Sequence, residues 1–193
     1  MNISAIMLAA GLSRRMGEDK LLIEFEGKTL LNRAIELLDS LPCREKILVI
    51  TPARLCFAIV PETVTVVQNT SPEDGQSKSL KLGLQAATAD SYLFLTADQP
   101  RLTFESLKRL FGLAKENPAQ IIYPTVLGKP CSPVLFPARF RQELLAQTGD
   151  TGGRAIRAAH PDSCLTFEAE SPLDFIDIDS PEDLFRLNRS ATI

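Results

Sequence analysis

Apolar residues in this chain fall into short runs separated by stretches of a different rhythm. The runs at 3–9, 46–51, 64–68, 91–96, 120–124 and 132–136 have the length of strands and are largely apolar along their whole length. The intervening stretches have a helical period. In 30–41, Leu31, Ala34, Ile35 and Leu38 share one face, 79–89 and 104–115 repeat the pattern, and 139–146 and 154–159 read as shorter helices. Strands alternating with helices predict βαβ units. Unbroken apolar strands predict burial on both faces, hence a mostly parallel sheet between two helical layers. One domain is expected over 1–193, with no repeat and no linker. After residue 127 the alternation loosens, and 127–137 and 164–179 read as strands added around a loop.

Composition narrows the class. The formal net charge is −3, so the basic surplus of a nucleic-acid binder is missing. No apolar run is long enough to span a bilayer, and the first strand begins too early to leave room for a signal peptide; a cytoplasmic protein with no membrane partner is expected. Cys43, Cys56, Cys131 and Cys164 are scattered and only His160 is present as an imidazole, so neither a zinc site nor a disulfide framework is expected.

In an open α/β sheet, ligands bind beyond the carboxyl ends of the strands. The segment leaving the first strand there is Leu8-Ala9-Ala10-Gly11-Leu12-Ser13-Arg14-Arg15-Met16-Gly17-Glu18-Asp19-Lys20. Its glycines allow tight turns with N–H groups aimed at an anion, and its cations suit a polyphosphate. A solvated surface loop is the competing reading. Gly27-Lys28-Thr29 is not a P-loop, because Leu22 stands where its first glycine would be. No dinucleotide fingerprint and no serine or cysteine nucleophile motif is present.

Two carboxylate sources stand out. Asp98 follows the apolar strand 91–96, where it could hold a hard divalent cation together with phosphate oxygens; it is too far from the helix at 104 to serve as its cap. Strand alternation over Asp177-Ile178-Asp179 would put both carboxylates on one face. In the following segment, Ser180 reads as an N-cap, Pro181 as the first helical residue, and Glu182 and Asp183 as first-turn acids. Asp179 is the chosen second metal ligand. Gly149-Asp150-Thr151-Gly152-Gly153-Arg154 and Gly75-Gln76-Ser77-Lys78-Ser79-Leu80 each read either as an anion or nucleoside contact or as a plain turn before a helix.

Taken in order, these motifs resemble the MobA-like nucleotidyltransferases, on the side of the molybdenum cofactor cytidylyltransferases. The resemblance covers nearly the whole chain. It implies a Rossmann-like three-layer sandwich of the nucleotide-diphospho-sugar transferase kind. It also implies transfer of CMP from CTP to a molybdopterin-type cofactor with Mg²⁺, and a molybdenum hydroxylase apoenzyme as a further partner. A non-catalytic cofactor carrier, GTP use, or another phosphorylated acceptor are the alternatives. By resemblance, Leu8, Ala9, Ala10, Gly11, Thr51, Asn69 and Ser79 contact the nucleotide. Arg15 and Lys20 hold the triphosphate, and with Asp98 they form the catalytic set. Asp98 and Asp179 are the implied Mg²⁺ ligands; Ser132, Asp150 and Arg154 face the acceptor. The family's Gly-His-Pro is Cys131-Ser132-Pro133 here. The Ala-Ala-Gly form of the signature resembles CTP users, and the Ala10 methyl is expected to stand against the base and exclude a purine.

Overall fold

The computed structural model describes residues 2–12, 19–149 and 152–189. The chain runs β1 (Ile3–Ala9), a hairpin of β2 (Glu24–Phe25) and β3 (Lys28–Thr29), α1 (Leu30–Ser40), β4 (Glu45–Ile50), α2 (Pro52–Leu55), β5 (Thr65–Gln68) and α3 (Gln76–Ala86). It continues through β6 (Ser91–Thr96), α4 (Phe104–Glu116), β7 (Ile121–Val126), β8 (Lys129–Pro130), β9 (Val134–Pro137), α5 (Arg141–Ala146), α6 (Arg154–Ala159), β10 (Cys164–Glu168) and α7 (Pro181–Arg189). The main sheet has the order β10-β7-β9-β6-β1-β4-β5, with β8 paired to β7. Pairing is parallel for β6-β1-β4-β5 and for β10-β7, while β9 runs antiparallel between β6 and β7.

Side-chain alternation sorts the core into two layers. Ala5, Met7 and Ala9 of β1, Leu48 and Ile50 of β4, and Leu93 and Leu95 of β6 pack with α1 and α4. Ile6, Ile47, Val49, Tyr92 and Phe94 pack on the opposite face with Leu80 and Leu84 of α3, Leu144 of α5 and Ile156 of α6. The three-layer sandwich expected from the sequence is present.

The helices start where their caps direct. Thr29 Oγ1 accepts from the Asn32 N–H at the start of α1, and Thr103 Oγ1 from the Ser106 N–H at the start of α4, so Asp98 has no capping role there. At α7, Asp183 Oδ2 accepts from the Ser180 N–H while Ser180 Oγ accepts from the Asp183 N–H, a reciprocal capping box.

One expectation fails in this region. Residues 176–179 form no strand; a 3₁₀ turn at Pro172–Phe175 leads into irregular backbone. Among the described residues the segment makes one backbone bond to the stretch after β6, from the Ile178 N–H to the Asp98 carbonyl at 2.9 Å, instead of a ladder. Hydropathy alternation found the buried Ile178 between two polar neighbours, a pattern that one inward anchor produces as readily as a strand does.

The topology also sets the place of the site. Leaving β1, the chain builds outward through β4 and β5, then returns to place β6 on the other side of β1. The register pairs Leu8 with Thr96 and Ala9 with Ile50, so these parallel strands end together at their carboxyl edge. The point of reversal, between β1 and β6, is where such sheets open a crevice.

Candidate active site

Asp98 follows β6 and Asp179 precedes α7, and the ammonium of Lys20 binds both. Nζ lies 2.6 Å from Asp98 Oδ2 and 2.9 Å from Asp179 Oδ1. Lys20 opens a 3₁₀ turn, Lys20–Leu22, capped by Asp19, whose Oδ1 accepts from the Leu21 N–H at 3.1 Å. Local bonds bring the two acidic segments together. Gln99, buried, donates Nε2 to the carbonyls of Ser132 and Phe175, both at 3.2 Å, and the Ile178 N–H reaches the Asp98 carbonyl. Asp183 fixes the backbone of Asp179 by accepting its N–H at 3.2 Å. The carboxylate singled out by the sequence only as a helix-start residue therefore also holds a site residue in place.

The electrostatics of the cluster are strained towards negative charge. Desolvation works against the charge of Lys20 but is outweighed, first by the Asp98 carboxylate and then by Asp179, so its pKa lies above the ordinary lysine value. Asp177 is pushed up to about 7, first by desolvation and then by the charges of Asp98 and Asp179, although the residue as a whole keeps solvent exposure. Asp98 Oδ1 is buried and makes no hydrogen bond. An orphaned carboxylate oxygen beside two further acids and one lysine is a donor set that suits a hard divalent cation. Among the described residues no group of three or more His, Cys, Asp or Glu is placed to enclose a metal. The set therefore fits an ion whose coordination is completed by ligand oxygens, as Mg²⁺ commonly is.

A cleft of about 750 Å³ opens at the ends of β1 and β6, where Leu8 and Thr96 line it. Its floor includes Leu8, Phe94 and Phe136, and Gln76, Thr96, Ser132, Arg154 and Arg157 contribute polar groups. Thr96 Oγ1, Gln99 Oε1 and two nitrogens of Arg157, Nε and Nη1, are buried without hydrogen-bond partners. Arg157 stacks on Tyr123, with its guanidinium carbon 4.4 Å from the ring centroid. Desolvation lowers its pKa, and the nearby Arg154 charge adds to that fall. Unsatisfied buried polar atoms are rare in folded proteins; of the residues that carry them here, Thr96 and Arg157 line the cleft, while Gln99 and Gln120 do not. Close packing shapes its wall: a Cβ on Gly153 would lie 2.5 Å from Phe136 Cζ.

The sequence-predicted residues divide accordingly. Lys20, Asp98 and Asp179 meet; Leu8, Ser132 and Arg154 line the cleft. Of the nucleotide segment, Leu8 is half-buried and Gly11 exposed, while Ala9 and Ala10 are 0% and 1% exposed. The Ala10 methyl is thus covered by protein and does not line the cleft, which removes the steric basis expected for base choice. Asn69 is fully buried; its Nδ2 donates to Ser79 Oγ at 3.0 Å and its Oδ1 accepts from the Ser71 N–H. Those two predicted nucleotide contacts are joined to each other, and Thr51 caps α2 by accepting from the Arg54 N–H. Arg15 and Asp150 lie outside the described residues. Two residues went unnoticed in the sequence, Arg157 and Arg54, whose positions carry no motif; Gln99 stands in the Asp98-Gln99-Pro100 triplet that follows the apolar strand 91–96.

Comparison with known proteins agrees with this architecture. A sequence profile described as the MobA-like NTP transferase domain matches residues 5–164. The purine catabolism protein PucB of Bacillus subtilis is 28% identical over 200 residues, covering 96% of this chain and 95% of that protein. The molybdenum cofactor cytidylyltransferase of Escherichia coli is 25% identical, covering 94% and 93% respectively. A probable molybdenum cofactor guanylyltransferase of Natranaerobius thermophilus is 24% identical, covering 95% and 93%. Among solved structures, a nucleotidyl transferase from Methanothermobacter thermautotroptrophicus superposes with a TM-score of 0.79 at 22% identity, covering 97% of this chain and 96% of that one. That last likeness shows the fold.

Proposed function

This chain belongs to the MobA-like NTP transferase family, and on that premise we propose that it transfers CMP from CTP to the phosphate of a molybdopterin-type cofactor. The observation that carries the reading is the meeting of Lys20, Asp98 and Asp179 at the carboxyl edge of the sheet, where Leu8 and Thr96, at the ends of β1 and β6, line a cleft. The acceptor phosphate attacks the α-phosphorus in line. A new P–O bond forms, the bond to the bridging oxygen breaks, and pyrophosphate leaves. An ionised phosphate needs no protein base, so positioning and neutralisation of charge do most of the work. In this reading Lys20 follows negative charge onto the leaving pyrophosphate, and Arg15 is assigned the same phosphates. Mg²⁺, held by Asp98 and Asp179, would supply charge neutralisation on the phosphate oxygens. The nucleotide lies along Leu8 and Gly11, and the acceptor fills the cleft against Ser132, Arg154 and Arg157.

Cytidine is favoured by the Ala-Ala-Gly signature and by the likeness to a cytidylyltransferase; the guanylyltransferase relative makes GTP the competitor. A molybdenum hydroxylase apoenzyme is the receiver of the product that the family resemblance implies. The deciding experiment incubates the protein with Mg²⁺, molybdopterin and each NTP in turn and identifies products by mass spectrometry. A cytosine dinucleotide form of the cofactor with equimolar pyrophosphate is expected. GTP turnover equal to or above that of CTP would move the base assignment, and absence of pyrophosphate from every NTP would overturn nucleotidyl transfer itself.

A further inference from the structure

Arg54 belongs to no motif, yet its side chain is placed with unusual economy. It projects from the four-residue helix α2 and is 5% exposed. Nη1 donates to the Ala9 carbonyl and Nη2 to the Gly11 carbonyl, each at 2.7 Å, while Nε lies 2.6 Å from Asp19 Oδ2. One guanidinium therefore ties the chain that leaves β1 to the chain that enters the turn at Lys20, and anchors both to the end of β4. Asp19 carries the connection onward: one carboxylate oxygen takes Arg54 and the other caps the turn that Lys20 begins. The planar fork of arginine can meet three acceptors in fixed directions, which a lysine ammonium on a flexible stem cannot reproduce.

We propose that Arg54 is a positioning residue for the transfer reaction, acting through Asp19 and the Ala9 and Gly11 carbonyls to hold Lys20 in register with Asp98 and Asp179. The proposal rests on the reading of Lys20 as the phosphate-binding lysine. Lys20 bridges two carboxylates at 2.6 and 2.9 Å, so a backbone displacement of about an ångström would break one bond, and misplacement on that scale costs roughly 100-fold in rate.

The test compares wild type with Arg54→Gln and Asp19→Asn. The second variant removes one link at a partly exposed side chain and so guards against a first variant that fails to fold. Turnover of Mg²⁺–CTP with molybdopterin is measured together with melting temperature and the rate at which trinitrobenzenesulfonate labels Lys20, followed by peptide mapping. The expected result is a kcat lowered about tenfold to 100-fold with the acceptor KM unchanged, and faster labelling of Lys20. The double variant should be no slower than Arg54→Gln alone, because both act through one connection. Wild-type kcat and labelling in Arg54→Gln, whatever its melting temperature, would overturn the proposal, and so would additive losses in the double variant. If the wild type uses no NTP at all, the functional reading falls while Lys20 labelling still decides the placement role of Arg54.

Discussion

Asp98 gives one carboxylate oxygen to Lys20 and keeps the other buried without a partner, so its charge has more to do than hold a lysine. Asp98→Asn keeps the shape and removes the charge. The fold should survive, as judged by an unchanged circular dichroism spectrum, while transition-state stabilisation falls by several kcal/mol, on the order expected for lost charge compensation at phosphoryl groups. Near-normal pyrophosphate release with unchanged Mg²⁺ dependence would remove Asp98 from the site. Lys20→Met tests a different quantity. A lysine that tracks charge onto the leaving group lowers kcat and kcat/KM together when lost, whereas a rise in KM alone would restrict it to ground-state binding. These residues could be read from the sequence because lysine after a glycine-rich exit and aspartate after an apolar strand are few-purpose placements. Arg54 could not, since an arginine in the short segment Pro52–Leu55 resembles any solvated surface residue until its bonds to Ala9, Gly11 and Asp19 are seen. Asn69 and Ser79, expected from the family resemblance to contact the nucleotide, hydrogen-bond to each other in the structure, a pairing that spacing along the chain does not reveal.

At the scale of elements, helix α3 shows how packing overrules propensity. Gly83 stands mid-helix, where glycine costs about 1 kcal/mol relative to alanine. A Cβ there would lie 2.4 Å from Ile6 Cγ2 and 3.2 Å from Val49 Cγ2, both within the closed core between α3 and the sheet. Overpacking of this kind typically costs 1–3 kcal/mol, roughly more than the helix gains. Gly83→Ala should therefore lower stability in chemical denaturation by about 1 kcal/mol; a more stable variant would mean that α3 can move off β1 freely. The strands and helices themselves lie close to their predicted places because burial on both sheet faces writes a strong pattern. The stretch at 176–179 misled that pattern, since Ile178 is anchored by one bond to Asp98 and not by a neighbouring strand.

The whole molecule has its own titration. Glu45, at the start of β4, accepts from the Ser4 hydroxyl of β1 and from the Thr88 hydroxyl and N–H just before β6, stitching three strands at the edge opposite the cleft. Desolvation would raise its pKa, but the Ser4 and Thr88 hydrogen bonds outweigh it and bring the carboxyl down to about 2. A folded pKa below the unfolded value means stability that is present above the unfolded pKa, 4.5, and is lost as pH falls towards about 2. Glu45→Gln should melt below wild type at neutral pH, and the gap should close between about pH 5 and about pH 2. A constant gap in thermal melts across that range would show that the charge of Glu45 is not what holds the strands.

What the sequence determined by itself was the layered α/β architecture and the placing of Asp98 and Lys20 at the carboxyl ends of the strands; that Asp179 meets them was decided by the fold. Periodic burial and strand-end chemistry are local properties, written in spacings of a few residues and readable without knowing what lies across the fold. What only the tertiary structure decided were contacts among segments distant in the chain. The buried exit of β1 hides the Ala10 methyl, the core pairs Asn69 with Ser79, and α6 turns Arg157 onto Tyr123 at the rim of the cleft. Arg54 is the extreme case, because among the described residues its acceptors Asp19, Gly11 and Ala9 lie 35 to 45 residues away along the chain. The direction and burial of a side chain depend on what packs over it, and spacing along the chain carries no record of that.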